Sequence, residues 1–164
     1  MIREEEKRVY DVLKELNIDY IRYEHPAIFT IEEANNLNIH MEGQHCKNLF
    51  IRNRKGDIHY LLIITEWKQV NLKDLSKEIE SSSLSFASEE RLYKYLSLTP
   101  GSVTPFGLIN DKEKSVKVLI DKDLINCNKI SFHPNVNTAT ITISYDDFEK
   151  FLHHQGNEFN YIKI

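Results

Sequence analysis

Residues 46–65 read CKNLFIRNRKGDIHYLLIIT, in which two apolar segments flank a polar stretch that contains Gly56. A glycine-containing turn between two apolar segments predicts a β-hairpin, with strands over 46–53 and 58–65. The second strand contains four consecutive apolar residues, Leu61 to Ile64. An unbroken apolar run of this kind is typical of a strand that is buried on both faces. We therefore expect this hairpin at the centre of a sheet.

Helix and strand patterns alternate on both sides of the hairpin. Helices are predicted where apolar residues recur at helical spacing, and strands where polar and apolar residues alternate. Thr30, Asn71, Ser88 and Ser144 are suitable helix N-caps, whereas two prolines and two glycines exclude a helix over 100–107. The predicted helices cover 3–17, 30–37, 72–80, 89–96 and 145–154, and the further strands cover 19–23, 84–87, 116–121, 129–133, 138–143 and 158–163.

This pattern predicts an α/β fold in which a curved, mixed sheet is flanked by helices in a single domain over residues 1–164. The chain has a net charge of −4 and is 41% hydrophobic, which suits one compact core. It has neither an apolar run of membrane-spanning length nor a secretory signal, so we expect a cytoplasmic protein with no membrane partner. Cys46 and Cys127 are interpreted as reduced thiols, and no Cys/His spacing indicates zinc; we expect neither a metal nor a cofactor.

The negative net charge argues against a broadly basic nucleic-acid-binding surface but allows a local patch. Basic residues are frequent over 40–68, where they form either a contact surface or a solvated surface of mixed charge. They are Lys47, Arg52, Arg54, Lys55 and Lys68.

Three features are candidates for chemistry, although no standard catalytic motif is present. Lys47, near the start of a predicted strand, could present its ammonium group to a carbonyl or a phosphate, or could lie in solvent at a strand edge. His133, which precedes a proline as His25 also does, is either a site residue or a structural histidine. The loop from Gly101 to Pro105 could offer backbone N–H groups to a carbonyl oxygen, or could simply connect two elements.

Four segments, in this order, give the chain a resemblance to a known family. They are His25-Pro26 with Thr30-Ile-Glu-Glu-Ala34, Cys46-Lys47-Asn48-Leu49-Phe50, Leu98-x-Pro-Gly-Ser-Val-Thr-Pro-Phe-Gly-Leu108, and Phe132-His-Pro-Asn-x-Asn-Thr-Ala-Thr140. The chain resembles the family of YbaK and prolyl-tRNA-synthetase-associated domains, and within it the free-standing prolyl-tRNA editing proteins of the ProX type. One departure is Asn135, where a leucine is expected after His-Pro.

The resemblance implies a single α/β domain with a mixed, barrel-like sheet that hydrolyses the ester of mischarged tRNA-Pro in trans. It implies tRNA-Pro as a partner, through its aminoacylated 3′ end, and prolyl-tRNA synthetase as a second partner. It also supports catalytic roles for Lys47, Gly101 and His133. The substrate-binding residues expected on the same basis are Thr30, Asn48, Arg52, Ser102, Val103, Thr104, Pro105 and Pro134.

We hypothesise that Lys47 orients the ester and stabilises developing negative charge, because a protonated ammonium group cannot serve as a general base. Backbone N–H groups of the 101–105 loop would hold the carbonyl oxygen, while His133 orders water and the tRNA 2′-hydroxyl assists. The overall likeness favours Ala-tRNA-Pro as substrate, with Cys-tRNA-Pro as the alternative. Two other functions stay open: a non-catalytic sensor of aminoacyl-tRNA or proline, and a module that docks on prolyl-tRNA synthetase.

Overall fold

A computed structural model of the chain describes residues 2–27, 30, 32–33, 36 and 40–164. These residues form four α-helices, two short 3-10 helices and eight strands. The α-helices are α1 (Glu4–Glu15), α2 (Leu72–Glu78), α3 (Glu89–Leu96) and α4 (Tyr145–Gln155), and the 3-10 helices are Pro105–Asn110 and Lys122–Asn126. The strands are β1 (Ile21–Glu24), β2 (Gln44–Arg52), β3 (His59–Thr65), β4 (Ser85–Phe86), β5 (Lys117–Asp121), β6 (Lys129–Phe132), β7 (Ala139–Ser144) and β8 (Phe159–Ile162).

All eight strands belong to one mixed sheet, with the order β1-β7-β6-β2-β3-β5-β8 and with β4 paired to β2. The β2–β3, β6–β7 and β1–β7 pairs are antiparallel, whereas β2–β6, β3–β5 and β5–β8 are parallel. In the described ranges β1 and β8 stand at opposite edges, so the sheet is open and not a closed barrel. The predicted α/β fold with a mixed sheet flanked by helices is confirmed.

The predicted hairpin lies where the apolar pattern places it. Strand β2 pairs with β3 from Cys46 opposite Thr65 to Arg52 opposite His59. Every residue of β3 is buried, as expected for a strand covered on both faces. The hairpin therefore joins the two halves of the sheet and fixes the register of Lys47 opposite Ile64.

The two faces of the sheet carry different side chains. One face packs against α1, α3 and α4 and forms the main core, which includes Phe50, Leu61, Ile63, Ile130 and Ile141. On the other face, β2, β3, β5 and β8 form a smaller apolar cluster with α2, made of Ile51, Tyr60, Leu62, Ile64, Leu75, Leu119 and Ile162. The rest of that second face, over β1, β7 and β6, carries mainly polar side chains.

The predicted N-caps Asn71, Ser88 and Ser144 each accept a hydrogen bond from a backbone N–H in the first turn of the helix that follows. Thr30 likewise accepts from the N–H of Glu33 at 3.1 Å, although much of the helix predicted over 30–37 lies outside the described residues. Within the described part of the chain, no helix has both the length and the apolar character needed to cross a membrane.

The prediction that no helix occurs over 100–107 was wrong for the last residues of that range. A 3-10 helix begins at Pro105, because a proline at the first helical position needs no N–H partner and already has a suitable φ. Thr104 caps this helix, with its side-chain oxygen accepting from the N–H of Phe106 at 3.3 Å. Residues 100–104 are irregular, as predicted.

Candidate active site

A set of polar side chains covers the part of the second sheet face that α2 leaves free. Strand alternation and register place these side chains together, because aligned residues on paired strands point to the same face. Their neighbours along β6 and β7, such as Ile130 and Ile141, point into the main core instead. We call this set the polar half-face; it consists of Tyr23, His25, His45, Lys47, Ser131, His133, Thr140 and Thr142.

Lys47 lies in β2, two residues after the part that pairs with β6 and within the part that pairs with β3. Its ammonium group donates a hydrogen bond to the backbone carbonyl of Lys68, in the segment that follows β3. None of the carboxylates in the described residues lies within ion-pair distance of this ammonium group. An ammonium group has three N–H donors, so Lys47 retains donors for a ligand.

Lys68 is itself held by two carboxylates. Its ammonium group lies 2.9 Å from an oxygen of Asp121, which is only 1% exposed, and 2.6 Å from an oxygen of Asp123. The N–H of Lys68 donates to the carbonyl of Thr65 at 3.1 Å, and the N–H of Glu66 donates to the carbonyl of His45 at 3.2 Å. The carbonyl that receives the Lys47 ammonium therefore belongs to a firmly anchored turn.

The structure brings His133 and His25 together. Their ring centroids are 6.0 Å apart in an edge-to-face arrangement. The Nδ1–H of His133 donates to the carbonyl of Ala139 at 2.8 Å. His25 donates from Nδ1 to the carbonyl of Pro26 at 2.8 Å, and its Nε2 accepts from the hydroxyl of Thr140 at 2.8 Å. His25 is thus fully engaged, whereas Nε2 of His133 has no hydrogen-bond partner among the described residues.

Burial lowers the pKa of His133 below its ordinary value. Nearby His25 and His45 also lower this pKa, while the hydrogen bond to Ala139 acts in the opposite direction. A histidine with a lowered pKa is neutral at pH 7. Because Nδ1 carries the proton, Nε2 offers a lone pair, and His133 can accept a hydrogen bond from a water or a hydroxyl group.

Glu42 and Gly43 cover part of the polar half-face from the segment that precedes β2. The hydroxyl groups of Ser131 and Thr142 each donate to the carbonyl of Glu42 at 2.7 Å. Gly43 has φ +98, and a Cβ there would lie 2.4 Å from the Oγ of Ser131. Glycine is therefore required for the chain to approach the sheet this closely.

The 3-10 helix that follows the loop from Gly101 to Pro105 contacts the turn that follows His133. Asn135 donates from Nδ2 to the carbonyl of Phe106 at 3.4 Å, and the rings of Phe106 and Phe132 meet edge to face at 6.0 Å. Gly101 has φ +93, in the left-handed region that favours glycine. Across the described ranges, however, no hydrogen bond joins this loop to Lys47 or His133.

Two side chains of this loop that the resemblance assigned to substrate binding hold the loop together. The Ser102 hydroxyl donates to the carbonyl of Thr99 at 3.1 Å, and Thr104 caps the following helix. Val103 packs against the main core, and Pro105 begins the helix. In the described part of the chain, the N–H group of half-buried Val103 donates to no protein acceptor and could meet a ligand, whereas Thr104 is fully buried.

Two other predicted binding residues, Asn48 and Arg52, do not share the surroundings of the Lys47 ammonium group. Asn48 is the next residue on the strand and so points to the opposite face, toward Ile63. Arg52 is five residues further along β2, about 17 Å away at the usual strand rise, where its guanidinium donates to the carbonyl of Arg54. Thr30 uses its hydroxyl oxygen as a helix cap. Pro134 is buried directly after His133.

The sequence reasoning did not single out His45, Ser131, Thr140 and Thr142. The alternation over 138–143 predicted a strand, and its threonines already marked one polar face of that strand. The missing information was the pairing of β7 with β6 and of β6 with β2, which is not encoded in any local pattern. His25, in contrast, was noted because it precedes a proline as His133 does.

Cys46 lies beside Lys47 but is not suited to act as a nucleophile. Burial raises the pKa of its thiol well above the ordinary value, and the neighbouring Cys127 and two carboxylates also raise it. Burial likewise raises the pKa of Cys127. Both cysteines are free, as predicted, and both pack against the main core. Among the described residues, no three His, Cys, Asp or Glu side chains are grouped to hold a metal ion.

Comparison with known proteins shows to which family the chain that carries this site belongs. The sequence profile of the aminoacyl-tRNA editing domain matches residues 25–151, which include every member of the polar half-face except Tyr23. The chain belongs to the aminoacyl-tRNA editing domain family. The prediction of an editing hydrolase that acts on an aminoacyl ester is thereby confirmed.

Individual relatives of this editing domain agree. The chain is 44% identical over 152 residues to the prolyl-tRNA editing protein ProX of Acetoanaerobium sticklandii, covering 93% of each chain. It is 34% identical over 139 residues to prolyl-tRNA synthetase associated domain-containing protein 1 of Bos taurus, covering 82% of this chain and 81% of that protein. A solved structure described as a candidate trans-editing enzyme for prolyl tRNA synthetase superposes with a TM-score of 0.73 at 19% identity, over 100% of this chain and 99% of that one. That last likeness supports the fold.

Proposed function

We propose that this editing domain hydrolyses mischarged tRNA-Pro in trans, with Ala-tRNA-Pro as its preferred substrate. The observation that carries the proposal is the Lys47 ammonium group, which stands on the polar half-face with no carboxylate partner among the described residues and with donors to spare. The name of the Acetoanaerobium sticklandii relative, a prolyl-tRNA editing protein, supports the choice of tRNA. The protein would act in the cytoplasm, where aminoacyl-tRNA is used.

In this mechanism Lys47 donates to the carbonyl oxygen of the ester or to a phosphate of the terminal adenosine. It stabilises the negative charge that develops on the carbonyl oxygen when water attacks the carbonyl carbon. The N–H group of Val103, in the loop from Gly101 to Pro105, is the additional donor proposed for this oxygen. The bond between the carbonyl carbon and the ribose oxygen then breaks, which releases the amino acid and the tRNA.

His133 orders the attacking water. Its neutral ring presents a lone pair at Nε2, because Nδ1–H is committed to Ala139. The 2′-hydroxyl of the terminal ribose is the second group proposed to assist, since it is adjacent to the ester in the substrate itself. Neither group has to carry a charge before the reaction begins.

The test is deacylation of tRNA-Pro charged with alanine, cysteine or proline. We expect Ala-tRNA-Pro to be hydrolysed fastest and Pro-tRNA-Pro to be spared. The preference for alanine over cysteine should be modest, about 10- to 200-fold, because an apolar pocket separates side chains that differ by one small group by only about 1–3 kcal/mol. A faster reaction with Cys-tRNA-Pro would overturn the alanine preference. Absence of hydrolysis with all three, relative to a protein-free control, would favour a sensor or a docking module.

A further inference from the structure

The anchored turn after β3 carries the most exposed large apolar side chain in the described part of the chain. Trp67 is 69% exposed, although its neighbours on both sides are fixed by hydrogen bonds to His45, Thr65, Asp121 and Asp123. The backbone carbonyl of the next residue, Lys68, accepts a hydrogen bond from the Lys47 ammonium group. A rigid backbone therefore holds an indole ring in solvent at the edge of the candidate site.

We propose that Trp67 is a stacking platform for a base of the single-stranded 3′ end of the tRNA. This inference rests on the proposed function, because it assumes that the aminoacyl ester reaches Lys47. The ester is attached to the terminal nucleotide, so the unpaired bases next to it must lie at the rim of the site when the ester is bound. An indole ring stacks on any base, and such stacking needs no sequence-specific hydrogen bonds.

The charges around the turn fit a base better than a phosphate. The ammonium group of Lys68 is already paired with Asp121 and Asp123, and Glu66 adds a further negative charge in the same turn. The turn thus has no unpaired cation to bind the tRNA backbone, whereas the indole face is uncharged. Lys47 remains the group that meets the charged or polar part of the substrate.

The protein contains a single tryptophan, so its intrinsic indole fluorescence reports on Trp67 alone. The experiment titrates wild-type protein with an RNA hairpin that copies the acceptor stem of tRNA-Pro and ends in CCA. The matched ligand is the same hairpin without the three unpaired nucleotides. We expect the CCA-ended hairpin to quench the fluorescence and the trimmed hairpin to leave it nearly unchanged.

Variants connect this binding to catalysis. Trp67→Ala should lower kcat/KM for Ala-tRNA-Pro by about 5- to 150-fold, the range expected for loss of one base stack. Trp67→Phe should recover most of the loss, because phenylalanine also offers an aromatic face. Ile2→Ala is the control, since Ile2 is also an exposed apolar residue but precedes α1, outside both the turn after β3 and the basic end of the hairpin; it should behave as wild type.

The outcomes separate this inference from the proposed function. If the wild type hydrolyses Ala-tRNA-Pro but Trp67→Ala is equally active and the CCA-ended hairpin does not quench, Trp67 is not a stacking platform and the function stands. Equal quenching by the trimmed hairpin would also overturn the inference. Failure of the wild type to hydrolyse any mischarged tRNA-Pro would instead remove the function on which the inference rests.

Discussion

At the scale of single residues, alternation along one strand decides which side chains can reach the substrate. Lys47 points to the polar half-face, whereas its neighbours Cys46 and Asn48 point to the main core. A buried oxygen of Asn48 has no partner within the described residues. The resemblance treats Lys47 and Asn48 as one motif, but the geometry gives them different surroundings, and only Lys47 shares a face with His45.

Asn135 gives a prediction at the same scale. It occupies the position where the family resemblance led us to expect leucine, and its backbone is left-handed, with φ +65. Asparagine tolerates this conformation better than a branched apolar residue does. Asn135→Leu should therefore lower the free energy of unfolding by about 1–2 kcal/mol, as measured by urea denaturation. Asn135→Gly removes the strain of the left-handed backbone, so its free energy of unfolding should fall clearly less than that of Asn135→Leu. Equal falls in the two variants would show that the φ angle is not the cause.

At the scale of elements, the turn after β3 depends on the pair between Lys68 and the buried Asp121. Lys68→Met would leave the Asp121 carboxylate without its cation, and breaking a buried pair from one side costs about 3–5 kcal/mol. We expect a loss toward the lower end of that range, because Lys68 is itself 18% exposed. Asp123→Asn is the matched control. Asp123 is 67% exposed, so its removal should change stability by less than about 1 kcal/mol.

Both variants should also be assayed for deacylation. Lys68→Met loosens the turn whose carbonyl holds Lys47, so its kcat should fall even under conditions where the protein is fully folded. Wild-type kcat in folded Lys68→Met would contradict the role of this turn in positioning Lys47.

The packing of α3 on the hairpin gives a prediction about pH. His59 on β3 stacks between Phe50 and Tyr95, at centroid distances of 5.5 and 4.1 Å, and its Nε2 accepts from Arg91. Burial lowers the pKa of His59 to about 4, and the positive charges of Arg91 and Arg52 act in the same direction. The unfolded chain, with a histidine pKa of about 6.5, binds this proton more readily than the folded protein does.

His59 therefore stabilises the fold above pH 6.5, and this contribution is lost as the pH falls from about 6.5 toward 4. The loss attributable to His59 is at most about 3 kcal/mol. His59→Gln should flatten the dependence of unfolding free energy on pH within this window, as measured by denaturation at each pH. His154→Gln, on the exposed side of α4, should leave the dependence unchanged. Identical slopes for wild type and His59→Gln would refute the assignment.

At the scale of the whole molecule, basic residues gather at the end of the hairpin although the net charge is −4. Arg54, Lys55 and Lys94 are exposed there, and Arg91 contacts Gly56 within the same cluster. We propose that this surface contacts the body of the tRNA, because its exposed cations could neutralise phosphates. Arg52 belongs to this surface and not to the immediate surroundings of the ester.

Each phosphate contact contributes about 0.7–0.9 to the slope of log affinity against log salt concentration. The Arg54→Ala, Lys55→Ala double variant should therefore bind uncharged tRNA-Pro with a slope lower by about 1.5, while the kcat for Ala-tRNA-Pro is retained. A double variant of Lys7 and Lys14 on α1 serves as the control. An unchanged slope would place the tRNA elsewhere on the molecule.

Local patterns predicted most of the fold. The glycine turn at Gly56, the apolar run of β3 and the N-caps at Asn71, Ser88 and Ser144 each depend on residues close together in the chain. The helix that begins at Pro105 was missed because a proline and a glycine were taken as breakers, although a 3-10 helix accepts both in its first turn.

The candidate site was less accessible to sequence reasoning. His25 meets His133, and the hydroxyls of Ser131 and Thr142 meet the carbonyl of Glu42, only because the sheet order places β7 and β6 between β1 and β2. No local pattern encodes that order. Read alone, Lys47 fitted a solvated strand edge better than a site; the family resemblance selected it, and the pairing of β2 with β3 and β6 explains its position.

The central claim is that the Lys47 ammonium group stabilises the reacting ester. The most direct measurement is single-turnover deacylation of Ala-tRNA-Pro by wild type, Lys47→Ala and Lys47→Met, with circular dichroism to confirm that each variant is folded. Loss of one oxyanion-stabilising donor typically slows a reaction by about 100- to 1000-fold, and we expect a loss of that size in both folded variants. Deacylation by folded Lys47→Ala at close to the wild-type rate would contradict the account.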